Sequence, residues 1–355
     1  MKSPLPVAGL TLLSAKVAAA IKFVPEIDGA LANGLDTLPT PFNLTNSQQR
    51  SSEYGAGSFW SSSFLSASNN HQYLVISHVM ADVPFWTPGR AMYRGSVLDI
   101  TDTSKYTQFE FFVDDYDVFG ENGTFNATFS DYGFVSAGPG ALRTWSNISG
   151  AEFDLNIELS SSIILNGGIG VFQVSSTLHQ WSLPAGKTTG SLSIDGLKVS
   201  VDSKSSLTWY DRQWNGGPPD WTWFELHLDT GKLKADLVPV SAWIWEDPEA
   251  GFKGIASIRE EPGVQKVVPV KSLETTGRTW TSEATGAEYA LGWVLELTDG
   301  TKLSISSQRD NQELAAEGGE FPAYAGYILA EGRLGRDQNI QGYGVVEIVP
   351  PGNAG

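Results

Sequence analysis

Cysteine is missing from all 355 residues. Its absence excludes disulfide frameworks, thiolate nucleophiles and cysteine-held zinc or iron–sulfur centres. Histidine is scarce. His71, His78, His179 and His227 are the full set, and no two stand four residues apart, so no metal site is expected. Charged residues are few, 18% against the roughly 25% usual in soluble domains, and they are lopsided, with a formal net charge of -17. Such an excess repels nucleic acid and anionic membrane surfaces at long range, so neither is expected as a partner. No apolar run approaches the roughly 20 residues of a membrane-spanning helix. Nucleophile-elbow, Walker and zinc-protease patterns are lacking, and Gly55 to Trp60 is too short of glycine for a dinucleotide fingerprint. No cofactor is expected.

What the chain does have is aromatics, at 11%, and many turn-formers, with 38 glycines and 18 prolines. Period-two patterns dominate. From Ala151 to Leu159 the apolar residues Ala151, Phe153, Leu155, Ile157 and Leu159 alternate with Glu152, Asp154, Asn156 and Glu158. One polar and one apolar face over such a stretch predicts a half-solvated antiparallel strand. Asp195-Gly196 and Asp299-Gly300 each separate two strand-like runs, the signature of a tight hairpin. No window carries a long amphipathic helix. The prediction is an all-β chain with two β-sandwich or barrel domains, 25–215 and 216–355, divided at Asn215-Gly216-Gly217-Pro218-Pro219.

Residues 1–24 read as a leader: Lys2, then an apolar run, then Ala18-Ala19-Ala20. Lys16 interrupts it, so cytoplasmic and secretory locations both stay open. Four sequons, at Asn43, Asn122, Asn126 and Asn147, do not decide between them.

The chain is organised around Thr208 to Trp214 and Pro218 to Phe224, within a span of seventeen residues holding four of the twelve tryptophans. Indoles beside Tyr210, Asp211, Arg212 and Gln213 supply stacking surface and polar heads, the makeup of a pocket for a large apolar ligand. A buried aromatic seam joining two domains fits the same composition. Strand parity puts Trp221, Trp223, Glu225 and His227 on one face, and Thr222, Phe224, Leu226 and Leu228 on the other. It also groups Trp209, Asp211 and Gln213 apart from Tyr210, Arg212 and Trp214. Asp211 with Arg212 reads either as a structural ion pair or as a pair orienting a substrate carbonyl.

Trp209 to Trp214 followed by Asp220 to Phe224 resembles the central motif of hydroxyneurosporene synthase-like, lipocalin-like proteins. Tyr324-Ala325-Gly326 and Gly342 to Glu347 resemble that superfamily's closing strands. Phe59 to Phe64 with Tyr73 to His78 resembles its fungal branch, which includes decalin-forming Diels–Alderases. The resemblance spans about Glu53 to Glu347 and departs from the pattern at Ala325, where an aromatic is usual. It implies a cleft between two β-rich domains, no cofactor, and a monomer acting on a hydrophobic polyene. The reaction implied is an intramolecular [4+2] cycloaddition of a polyenoyl tetramic acid. On this reading Glu53, Asp211 and Gln213 are the catalytic polar groups. Trp60, His78, Tyr210, Trp214, Trp223, Tyr324 and Tyr327 hold the substrate. Two other readings use the same motif: a polyene hydratase or isomerase with Asp211 or Glu225 as general acid, and a lipid carrier without chemistry.

Overall fold

A computed structural model describes residues 21–23, 44–50, 57–83, 87–174, 176–215, 220–231, 237–261, 264–336 and 338–350. Apart from single short turns of α-helix (Leu44–Ser47) and 3-10 helix (Asn166–Gly168), its regular elements are strands. The predicted alternation from Ala151 holds: in Glu152–Glu158, Phe153, Leu155 and Ile157 are buried. The hairpin after Ile194 turns on Asp195 and Gly196 at φ 52° and 76°, the left-handed backbone that a two-residue turn requires.

Strands from Gly57 to Trp214 belong to one large sheet, and the large sheet after the predicted break is a separate one. In the first, antiparallel strands lie in the order Tyr106–Val113, Ala91–Asp99, Gln72–Ala81, Gly57–Ser66, Leu207–Trp214, Thr177–Ile194, Glu152–Glu158, Ala141–Ser146, Tyr132–Gly138 and Asn126–Phe129. The sheet curls over its own apolar side like half a barrel. Phe59 therefore stacks on Phe125, just before the edge strand Asn126–Phe129, at 3.7 Å, and Phe109 meets Tyr132 edge-on at 5.3 Å, although their strands are far apart in the sheet order. In the second sheet the order is Val264–Thr275, Gly251–Glu261, Leu237–Asp247, Trp221–Asp229, Gln338–Val349, Ala323–Leu334, Lys302–Ser307 and Gly292–Leu297. Gly292–Leu297 pairs back onto Val264–Thr275, closing an eight-stranded barrel. Ile21–Phe23, inside the stretch read as leader, pairs with Val264–Thr275.

Each sheet encloses one core, and a third core lies between them. Phe224, Leu226 and Leu228 fill the barrel with Ile305, Ile328 and Val346. The opposite face of the same strand, with Trp221 and Trp223, packs against Trp60, Phe64, Ile76 and Trp209 of the first sheet. Alternation along one strand thus serves both interiors. Gln265, fully buried, fastens the seam at one side by pairing with both the N–H and the C=O of Leu165, at 2.9 and 2.6 Å.

Candidate active site between the two sheets

The site is a row of side chains across the open sheet facing a second set on the barrel. Register sets Ser182 beside Asp211, then Trp60, His78, Arg94 and Glu110, one from each of six adjacent strands. Side chains directly opposite one another across an antiparallel pair share a face, so all six look toward the barrel. On the barrel, Trp223 stands beside Glu347 and Trp243, and Glu225 beside Ser241 and Val345.

Four carboxyls are buried here. Asp211 accepts hydrogen bonds from Trp209 Nε1 at 2.9 Å and from the Ser182 hydroxyl. Burial, with repulsion from Glu347 adding to it, pushes its pKa up to about 7. Glu225 is 0% exposed, and neither of its oxygens has a hydrogen-bond partner. Trp60 and Ser62 approach it, but the Trp60 N–H is given to Ser62 Oγ at 2.7 Å. Burial first, then the neighbouring Asp211, raises the Glu225 pKa well above the usual carboxylate range. Glu347 is raised by burial too, but it holds Arg94 at 2.8 Å and Trp221 Nε1 at 3.1 Å. Glu110, pushed up to about 7 by burial, lies 3.5 Å from the same guanidinium. Arg94 also donates from Nε to His78 Nδ1 at 2.9 Å, so His78 Nε2 faces Ser58 Oγ at 2.8 Å. Burial and Arg94 hold His78 neutral, well below the usual imidazole pKa.

One cation among four buried acids settles where the protons sit. Arg94 favours the ionised form of Glu347, and Glu347 in turn disfavours charge on Asp211 and Glu225. The seam therefore keeps protonated carboxyls among indoles, a pairing suited to proton transfer at an apolar centre. Trp223 meets Trp60 and Trp209 edge-on at 6.1 and 6.3 Å, and its own N–H goes to Ser241 Oγ at 3.0 Å. Among the described residues no group of three or more His, Asp or Glu side chains is arranged to hold a metal ion.

Of the residues singled out from sequence, Trp60, His78, Asp211, Trp223 and Tyr327 meet at this seam, with Gln213 half-buried at the end of its row. Three others do not. Tyr210 and Trp214 point into the core of the open sheet, against Phe134 and Trp181. Tyr324 points into the barrel, where its hydroxyl is shared by Ser307 and Gln312. Parity is the physical reason, since neighbours along a strand face opposite ways. The same rule separates Asp211 from Arg212, which stacks on Phe59 at 4.0 Å and donates to the Ser47 and Gln213 carbonyls. Glu53 lies outside the described residues. Arg94, Glu110 and Glu347 were not singled out. Glu347 was legible in its closing strand, on one face with Val345 and Tyr343, whereas Arg94 and Glu110 come into view only through register.

Comparison with known proteins agrees with this architecture. The AttH-like family pattern matches residues 85–349. Kievitone hydratase of Fusarium solani subsp. phaseoli is 32% identical over 367 residues, covering 98% of each chain. Dehydratase asqC of Emericella nidulans is 30% identical, covering 98% of this chain and 99% of its own. The crystal structure of kievitone hydratase from Nectria haematococca superposes with a TM-score of 0.78 at 31% identity, over 89% of this chain and 94% of that one. A putative AttH from Nitrosomonas europaea shares the fold, with a TM-score of 0.65 at 18% identity, over 82% of this chain and 91% of that one.

Proposed function

The chain belongs to the AttH-like family, and from that premise we propose that it is a hydro-lyase, adding water to or removing it from an apolar unsaturated small molecule in the inter-sheet seam. The observation that carries the reading is Glu225, a buried carboxyl without a partner, facing tryptophans. In the hydration direction Glu225 gives its proton to one alkene carbon. The electron-deficient carbon that results is faced by the rings of Trp60, Trp209 and Trp223. Water adds to that carbon and passes its proton to Asp211, whose pKa near 7 suits a general base. Dehydration is the reverse: Asp211 protonates the leaving hydroxyl and Glu225 takes the carbon-bound proton. One site thus accommodates the chemistry named in both relatives, a hydratase and a dehydratase.

Cycloaddition, implied by the motif resemblance, would use the aromatic walls for shape alone and leave the buried acids without a task. The relatives favour water chemistry over ring closure. Product analysis decides. Deleting the gene should leave a compound that differs from the lost product by one water. Purified protein in oxygen-18 water should convert one into the other, with label entering the product in the hydration direction and water lost in the dehydration direction, and Glu225→Gln should not. A new ring without change of mass would establish a cyclase, and an unaltered ligand a carrier.

A further inference from the structure

The charge on Asp211 is decided by a contest between burial and neutral donors. Burial raises its pKa, and Ser182, Trp209 and, more weakly, Gln180 draw it back down. Its charged neighbours across the seam, Glu225 and Glu347, are acids and disfavour another negative charge. Arg94, the cation of the row, donates to Glu347 and His78. His227 meets Trp209 at 5.5 Å, and burial lowers its pKa to about 3, so it is uncharged near neutrality. Arg212 is turned to the other side of the strand, over Phe59. Whatever fixes the direction of the neutral donors therefore sets how readily Asp211 ionises.

The Trp209 N–H is fixed by its ring, but a serine hydroxyl rotates and carries a single hydrogen. Asn166 decides where that hydrogen points. Its Nδ2 donates to Ser182 Oγ at 2.9 Å, and Ser182 gives its own hydrogen to Asp211 Oδ1. Asn166 and Ser182 are both buried, and Asn166 Oδ1 has no partner. Turning the amide over would pair that oxygen with the hydroxyl and take the hydrogen away from Asp211. The observed orientation leaves a buried oxygen unpaired, which costs stability, and keeps the donor on the carboxyl.

The amide is held from the barrel side. Asn166 opens the turn Asn166–Gly168, in which Gly167 has φ 68° and donates its N–H to Ser257 Oγ at 3.2 Å. A Cβ on Gly167 would lie 2.9 Å from Phe172 Cβ, so this turn demands glycine twice over. The residue before it, Leu165, is the one gripped by Gln265. Ser257 pairs in register with Ser241, and Ser241 with Glu225. The side chain that aims Ser182 at one carboxyl is thus anchored to the row that carries the other.

We propose that Asn166 is a positioning residue: acting through Ser182, it keeps a hydrogen-bond donor aimed at Asp211 and so favours the ionised carboxylate that serves as base. The role of base rests on the hydro-lyase reading, and the relay from Asn166 to Asp211 does not. Carbon-13 labelling of the aspartate side chains follows the Asp211 carboxyl directly, its resonance identified by its loss in Asp211→Asn. Asn166→Leu and the smaller Asn166→Ala should both raise the midpoint of that titration by about half to one pH unit, the scale of one weakened hydrogen bond to a charged group. The rising limb of the rate profile should move with it, so that turnover at about pH 6 falls roughly three- to tenfold while KM stays within about twofold of the parent. Ser182→Ala should shift both midpoints further. Adding Asn166→Leu to it should shift them no more, because the hydroxyl through which Asn166 acts is gone. A residue that only packs would lower the melting temperature and leave both midpoints in place. The proposal is overturned if the carboxyl midpoint in both Asn166 variants stays within about 0.2 unit of the parent. It is equally overturned if Asn166→Leu adds its full shift on top of Ser182→Ala. If the carboxyl midpoint moves as expected while the rate limb stays put, the relay stands and the assignment of Asp211 as base in the hydro-lyase reading falls.

Discussion

Two buried glutamates, one inside the barrel and one outside it, show how differently this fold treats the same side chain. Glu313 points into the barrel and receives hydroxyls from Ser282, from Thr285 at 2.7 Å and from Tyr289 at 2.8 Å. Glu225 points out of the barrel into the seam and is equally dry, and Ser62 and Trp60 only approach it, outside good hydrogen-bond geometry. A buried carboxyl surrounded by donors is held as structure, because each bond offsets its desolvation. A buried carboxyl without donors costs stability and is kept for what it does to a ligand. On the proposed reading the seam is where such groups act, and the barrel interior is its support.

The comparison breaks if the two residues respond alike. Glu225→Gln should lower turnover by about 10²–10⁴-fold, the range of general acid catalysis, with an unchanged or higher melting temperature. Glu313→Leu should do the opposite. Leaving buried hydroxyls unpaired costs about 1–3 kcal/mol for each one that finds no new partner, so melting falls and turnover per folded molecule stays near normal. Kinetics on the folded fraction, beside calorimetry, separate the two. Arg94→Leu sharpens the picture from the other side. It strips Glu347 of its buried counter-charge, and breaking such a pair costs about 3–5 kcal/mol. Chemical denaturation should show that loss, and Arg94→Leu combined with Glu347→Leu should recover much of it. If the double variant is no more stable than the single, Arg94 and Glu347 are not an energetic pair.

Much of this contrast was legible in the sequence. Period-two patterning identified the strands, and parity alone set Trp223, Glu225 and His227 on one face and the barrel core residues on the other. Parity also held a warning. Tyr324 and Tyr327 are three apart and cannot share a face of a regular strand, so both could not line one cleft. The structure sends Tyr324 inward and Tyr327 to the seam. Tyr210 and Trp214 went astray the same way, grouped with Asp211 by nearness in sequence, not by side. Arg94 and Glu110 were illegible for another reason: register across five strands, fixed only by the fold, aligns them with Asp211.

The smallest expected effect is on pH, and it ties the two regions together. Asp211 has a pKa near 3.9 in an unfolded chain and about 7 in the seam. Between those values the folded protein binds a proton that the unfolded chain has released. Stability must therefore fall as pH rises from about 4 to about 7, by linkage. Hydration needs Asp211 ionised and Glu225 protonated, so its rate should rise as pH passes about 7, and fall again only when Glu225 loses its proton. Activity thus appears where stability has been given up, because deprotonation of Asp211 contributes to both. Asp211→Asn should make the decline in melting temperature over that interval shallower, the share of Glu110, Glu225 and Glu347 remaining, and remove the rising limb of the rate profile. Glu313→Gln, whose side chain belongs to the barrel interior, should leave the shape of that limb as it is. A wild-type melting temperature that is flat between pH 4 and 7, or a rising limb that survives in Asp211→Asn, would mean that the seam's proton is held elsewhere.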